Sequence, residues 1–424
     1  IQTSGNTVRN VTTDHFAGAA LDEVDDPRPY AEWIRQWSTD HPEFQFLPRK
    51  FKIAISAGQQ DRALVKAHDI GLRLVAGDGE PAFDIYVGGG LGRTPVVGSL
   101  VFERVSIAEL LPHIEAILTV YNLAGRRDNK YKSRIKILLQ SVGISRFEFS
   151  VEKLLPRIID TFDQHLIGRL EPVKSDFATP VLPPRGVAPY GDAVNSQSDF
   201  KAWVTQSVTP HKQEGYASVT VSLKAPGQAP GDASAAQMRV LAELAEQSGF
   251  AELRVSHEQN IVLPHVAQSD LMTGFARLKR EGLATANIGL VSDLIACPGM
   301  DYCALATARS IPIGQQIAMR YQHLEPELGP LKIKISGCIN ACGHHHVGDI
   351  GILGLDKAGV ENYQITLGGR VGMDAALGEK MGPGFSEPEL LLALDRLFEA
   401  YLAMRLGSDE VFSETVKRLG TSPF

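Results

Sequence analysis

The sequence predicts an α/β (α+β) protein built by duplicating one strand-and-helix unit, with a smaller β-α-β-β-α module between the copies. Three collinear self-matches predict the duplication. Lys50-Phe51-Lys52-Ile53 resembles Lys332-Ile333-Lys334-Ile335 at a shift of 282, both alternating charged and apolar residues as a half-buried strand does. Val87-Gly88-Gly89 matches Leu367-Gly368-Gly369 at a shift of 280, each after a short β-rich run. Glu109-Leu110-Leu111 with Tyr121 matches Glu389-Leu390-Leu391 with Tyr401, again at 280, in segments of helical periodicity.

The elements between the copies follow from local chemistry. Pro172, Pro180, Pro183, Pro184, Gly186, Pro189 and Gly191 crowd a stretch that propagates neither helix nor central strand, so it reads as a linker. From Ala217 to Leu223 strict alternation predicts a strand with one face buried. Ser234 and Gln237 form a capping box that starts a helix carrying Met238, Leu241 and Leu244 and ending at Gly249. Two short strands, LRV and NIVLP, precede a helix from about Ser269 to Gly282. This order is that of a ferredoxin-like half-domain. The predicted organisation is a first repeat at 1–170, a linker at 171–213, the half-domain at 214–283 and a second repeat at 284–424.

Composition excludes several function classes. With 424 residues, 44% hydrophobic and 21% charged, the chain is long enough for two or three compact units. Its best apolar stretch, Ala108 to Ala124, is interrupted by Pro112, His113 and Glu115, so no membrane span is expected. A net charge of −7 argues against a general nucleic-acid binder, which works by neutralising phosphate. The N-terminus shows neither a signal-peptide pattern nor an initiator Met, so a cytoplasmic protein with part of its start missing is expected.

All four cysteines, Cys297, Cys303, Cys338 and Cys342, fall in the second repeat as C-x5-C-x34-C-x3-C. Structural zinc favours two to four residues between paired ligands, whereas a cubane iron–sulfur cluster accepts four thiolates at varied spacing. Buried inert cysteine and zinc remain open on spacing alone. The Pro and Gly residues of CPGMDYC and GCINACG keep the chain in turns, freeing backbone N–H groups to point at sulfur.

These loops, with VRNVTTD, LPRKFK and VGGGL, resemble the siroheme-containing sulfite and nitrite reductases, from about Asn6 to the C-terminus. The resemblance implies a pseudo-twofold duplicated fold lacking its first ferredoxin-like half-domain. It implies a [4Fe-4S] cluster on Cys297, Cys303, Cys338 and Cys342, with Cys342 also bridging to the siroheme iron and Asn340 lying against the cofactor. Lys50 and Lys52 lie two apart on a strand, on one face and roughly 6 to 7 Å apart. The resemblance makes them, with Arg9, the residues that bind the substrate oxyanion. It also implies reduction of sulfite to sulfide, Lys52 favouring sulfite, with nitrite reduction to ammonia as the alternative. Electrons would come from a partner, ferredoxin or an NADPH-flavoprotein.

Three other features call for simpler roles. His344, His345 and His346 are consecutive and diverge in direction, so at most one approaches a cofactor. Glycines 88, 89, 90 and 92 do not form G-x-G-x-x-G, since Arg93 takes the sixth position. The run Arg126, Arg127, Lys130, Lys132, Arg134 and Lys136 reads as a solvated helix start, or a dock for an acidic donor.

Overall fold

The structure, a computed structural model, describes residues 5–178, 180–183 and 197–424. It divides into two compact units, Ile1–Leu182 and Pro183–Phe424. In the first, five strands run in sequence order: β1 (Val8–Thr12), β2 (Phe51–Ser56), β3 (Ile70–Val75), β4 (Ala82–Val87) and β5 (Ser99–Ser106). The first three are parallel; β4 and β5 are antiparallel additions. Ile53, Ile55, Leu72 and Ile85 from the sheet bury with Trp33 and Ile34 of the helix Pro27–Asp40 and Leu110, Ile114 and Tyr121 of the helix Ile107–Ala124.

The second unit holds two sheets. The half-domain has β6 (Val208–Pro210), β7 (Tyr216–Val221), β8 (Arg254–Val255) and β9 (Ile261–Ala267) in the antiparallel order β6-β7-β9-β8. Its core joins Val219 and Val221 to Phe200, Trp203, Leu241, Leu244 and Phe275 from three helices. The Ser234–Gln237 capping box is present, although Met238 is 55% exposed and lies outside the core. The strand read as half-buried is buried on both faces, because Ser218 hides its hydroxyl by donating to Pro264 O at 2.8 Å. Within the stretch read as linker, 184–196 lie outside the described residues. The helix Ser198–Ser207 and strand β6 show that its end belongs to the half-domain.

The other sheet, β10 (Ile295–Ala296), β11 (Ile333–Ser336), β12 (Ile350–Lys357), β13 (Val360–Leu367) and β14 (Glu379–Phe385), repeats the order and the parallel and antiparallel pattern of β1 to β5. Tyr121 and Tyr401 are both buried in its matching helices, Ile107–Ala124 and Glu387–Met404. Hydrogen bonds fix the register between the copies. Asp69 accepts from Lys52 N at 3.0 Å and Asp349 from Lys332 N at 2.7 Å. Leu64 and His344 both adopt left-handed φ, 58° and 57°. The shift is therefore 280 from β2 onward and 283 for β1 against β10, and Lys52 corresponds to Lys332 rather than to Lys334.

The glycine pairs serve close packing. A Cβ on Gly89 would lie 2.3 Å from Lys66 O, and one on Gly369 would lie 2.5 Å from Gly348 O. Among the described residues no helix is long and apolar enough to cross a membrane.

Candidate functional site

Cys297 follows β10 directly and extends its ladder, donating its N–H to Ile335 O at 3.1 Å. Its sulfur receives the N–H of Gly337 at 3.0 Å and lies 3.5 Å from Ser310 Oγ. A backbone N–H aimed at sulfur favours the thiolate that a metal requires. Gly337 is needed there because a Cβ would lie 2.6 Å from Ala308 O and 2.9 Å from Gly299 Cα. Thr307 and Ala308 both donate to Gly337 O, at 2.8 and 3.0 Å, folding the Cys303 loop onto the end of β11.

Cys303 closes the short helix Gly299–Tyr302, its N–H bonding Gly299 O at 2.9 Å. Cys338 accepts from Ala341 N at 3.2 Å in a turn where Ala341 takes a φ of 56°. Cys297 and Cys338 are buried, Cys303 is partly buried and Cys342 is exposed. No disulfide joins any of the four. Two loops leaving adjacent parallel strands thus carry the four thiols, with a backbone donor already aimed at one of them, although among the described residues no three Cys, His, Asp or Glu side chains gather closely enough to hold an ion. That donor set fits an iron–sulfur cluster. Asn340 sits at the exposed tip of the second loop. Of the three histidines only His345 is buried, and burial drives its pKa down to about 3, so it is a neutral core group.

In the first repeat, strand register places Asp14 at the position of Cys297, and the 280 shift places Gly58 and Arg62 at those of Cys338 and Cys342. Arg62 Nε lies 3.4 Å from Asp14, while its Nη1 and Nη2 donate to Asp22 at 3.1 and 2.9 Å. A Cβ at Gly58 would come within 2.5 Å of Arg62 Nη2. A set of charges fills the space that the second repeat lines with sulfur.

The predicted cations share one face of the first unit. Phe51 and Ile53 are fully buried on one side of β2, and Lys50 and Lys52 project from the other, half-buried. Arg9 is the residue skipped where the β1–β2 register shifts between Val8 and Asn10, a bulge of the kind that re-aims a side chain. Its guanidinium donates to Gly5 O at 3.0 and 2.9 Å. Burial, then the charges of Arg134, Lys52, Arg9 and Arg49, push the Lys50 ammonium below its usual value.

Arg134, read from sequence as part of a solvated run, belongs to this cluster. It donates to the fully buried Asp69 through Nε at 3.0 Å and Nη2 at 2.7 Å, while Asp69 holds Lys52 N. The rest of the run divides. Lys136 is buried, donates to Gly90 O and Leu91 O at 3.0 and 2.9 Å, and is pushed down to about 8 by burial and by Arg134. Arg127 braces Asn122 and Phe46 O, and Arg126 pairs with Asp128 in solvent. A spaced Asp was the available signal, but nothing in the sequence links position 69 to position 134.

An α/β duplication with four thiols on two loops of one copy and a cationic strand face on the other defines a class, proteins equipped for both a metal cluster and an anion. The chain belongs to the nitrite and sulphite reductase 4Fe-4S domain family, which matches residues 4–159 and 290–424. The nitrite/sulfite reductase ferredoxin-like half domain matches residues 210–281. Its cofactors are a [4Fe-4S] cluster and siroheme.

The chloroplastic ferredoxin–nitrite reductase of Arabidopsis thaliana is 28% identical over 403 residues, covering 92% of this chain and 63% of that protein. Sulfite reductase [ferredoxin] 1 of Mycolicibacterium paratuberculosis is 28% identical over 420 residues, covering 95% and 68%. The solved structure of the Mycobacterium tuberculosis NirA protein matches with a TM-score of 0.75 at 25% identity, covering 99% of this chain and 72% of that one. The chain thus spans about 63% of the Arabidopsis relative's length.

Proposed function

We propose that this chain carries out the multi-electron reduction of sulfite to sulfide. Cys297, Cys303, Cys338 and Cys342 would hold the cluster, and the exposed Cys342 would also ligate the siroheme iron. When bound, that pair would supply the stored electrons that reducing the anion consumes. Arg9, Lys50 and Lys52 bind the oxyanion and offset its charge. Lys50, an ammonium already weakened by burial and by its cationic neighbours, gives its proton to departing oxygen. Asp69 fixes the backbone of Lys52, and Arg134 fixes Asp69.

The convergence of Arg9, Lys50 and Lys52 on one face carries the reading, because a dense cationic patch in a protein of net charge −7 suits a small oxyanion. Nitrite is the second reading, favoured by relatives named as nitrite reductases. The electron donor is ferredoxin, which the relatives' names specify for those proteins, and an NADPH-flavoprotein is the alternative. Turnover of the two anions, in the wild type and in Lys52→Asn, tests the choice. Sulfite should be preferred and the variant should lose that preference; a wild type selective for nitrite would refute it.

A further inference from the structure

The turn Ser256–Asn260 joins β8 to β9 in the half-domain, closed by Ser256 N to Asn260 O at 2.9 Å and Gln259 N to Ser256 O at 3.2 Å. Gln259 has a φ of 59°, a conformation that residues with a Cβ seldom adopt. Its side chain points at the second repeat. Nε2 donates to Ala296 O at 2.8 Å, and Oε1 accepts from Ala296 N at 3.1 Å. Ala296 is the residue before Cys297. Strand β10 has only two residues, paired to β11 through Ile295–Lys334 and Ala296–Ile335, so the other edge of Ala296 would otherwise go unpaired. The Gln259 amide supplies both hydrogen bonds that a neighbouring strand would supply.

Its neighbours hold two further points of the same frame. Asn260 Nδ2 donates to Asp293 Oδ1 at 2.9 Å, four residues before Cys297, and Glu258 pairs with Lys332 at the start of β11, which leads to Cys338. Three consecutive turn residues thus grip β10 and the residues leading into β10 and β11, the strands from which the cysteine loops depart.

We propose that Gln259 is a positioning residue for the cluster, acting through Ala296 to fix where Cys297 presents its sulfur. The inference rests on the reading that the four cysteines hold iron. Groups that orient metal ligands typically change metal affinity by 10- to 100-fold when removed, and Gln259 holds the residue next to such a ligand.

The experiment compares holoprotein of the wild type, Gln259→Ala, Gln259→Glu and Gln315→Ala. The last is a control that removes another glutamine-to-backbone bond, Gln315 Nε2 to Gly227 O at 3.1 Å. Glutamate keeps the acceptor for Ala296 N but cannot donate to Ala296 O, so it should fail as alanine does. The readouts are the chelator concentration that removes half the iron, the electron-spin-resonance signal of the reduced cluster, and the melting temperature. Both Gln259 variants should lose iron at about 10-fold lower chelator and shift the resonance, with melting no lower than in the control.

Variants that match the wild type in iron retention and resonance would overturn the inference, as would effects no larger than in Gln315→Ala. Should the variants not fold, hydrogen exchange on wild-type protein decides. A slowly exchanging Ala296 amide supports the clamp, and exchange as fast as in an open loop refutes it. A wild type holding no iron refutes the cofactor reading and this inference with it, whereas failure in the variants alone refutes only the inference.

Discussion

Replacing Arg134 by Met removes the partner of a carboxylate that has no access to water. Asp69 is fully buried and takes two guanidinium hydrogen bonds, at 3.0 and 2.7 Å, besides the backbone N–H of Lys52. Removing one partner of a buried pair costs about 3–5 kcal/mol. The structure caps that figure, because Asp69 can instead take up a proton. From an ordinary carboxyl pKa near 3.9, protonation at pH 7 costs about 4 kcal/mol, so Arg134→Met should lose about 3–4 kcal/mol there.

The pH dependence follows in sign and size. Burial already raises the Asp69 carboxyl above its ordinary value, and loss of the guanidinium raises it further, so the folded variant binds the extra proton more readily and its stability relative to wild type rises as pH falls. The deficit should shrink as pH falls from 7 to 5, by at most about 1.4 kcal/mol for each pH unit. Hydrogen exchange of the β2 and β3 amides in increasing urea, at pH 7, 6 and 5, measures it. Adding Asp69→Asn should restore most of the loss at pH 7. A deficit below about 1 kcal/mol, or one that ignores pH, would refute the assignment of Asp69–Arg134 as a buried ionic tether.

Acid should weaken the half-domain. His211 accepts from Gln213 N at 2.8 Å, lies 2.9 Å from His265, and is held down to about 4 by burial and then by His265. Since the charged form is disfavoured on folding, its contribution is complete above pH 6.5 and lost as pH falls to 4, about 3 kcal/mol in all. His211→Asn should flatten that limb of a urea-midpoint profile. Gly369→Ala forces a Cβ to 2.5 Å from Gly348 O and should cost about 1–3 kcal/mol by thermal unfolding; an unchanged melting temperature would contradict the packing role. Cys342→Ser should abolish the coupling between cluster and tetrapyrrole absorption, and persistence of that coupling would remove the bridge.

Features fixed by local chemistry are legible in the sequence. The capping box at Ser234 and the paired Tyr121 and Tyr401 needed only spacing. The strand match was misaligned by two for a physical reason. Side chains alternate with a period of two, so Lys52-Ile53 falls on a Lys-Ile pair at 280 or at 282, and the hydrogen bonds to Asp69 and Asp349 choose the former. Charge runs misled for a similar reason. A sequence records that Arg134 is basic but not that an aspartate 65 residues away waits for it in the core. Gln259 left no trace, since its task depends on a backbone that reaches it only in the folded state.

The Asp14–Arg62–Asp22 arrangement has a consequence for how the chain matures. A loop closed by its own counter-charges reaches its final shape as soon as the polypeptide does, while its sulfur-lined twin, on the proposed function, would wait for delivered iron. Under metal starvation one half of the duplication would stand finished and the other would remain a scaffold, so supply of the inorganic part, rather than folding of the whole, sets when the molecule comes into service.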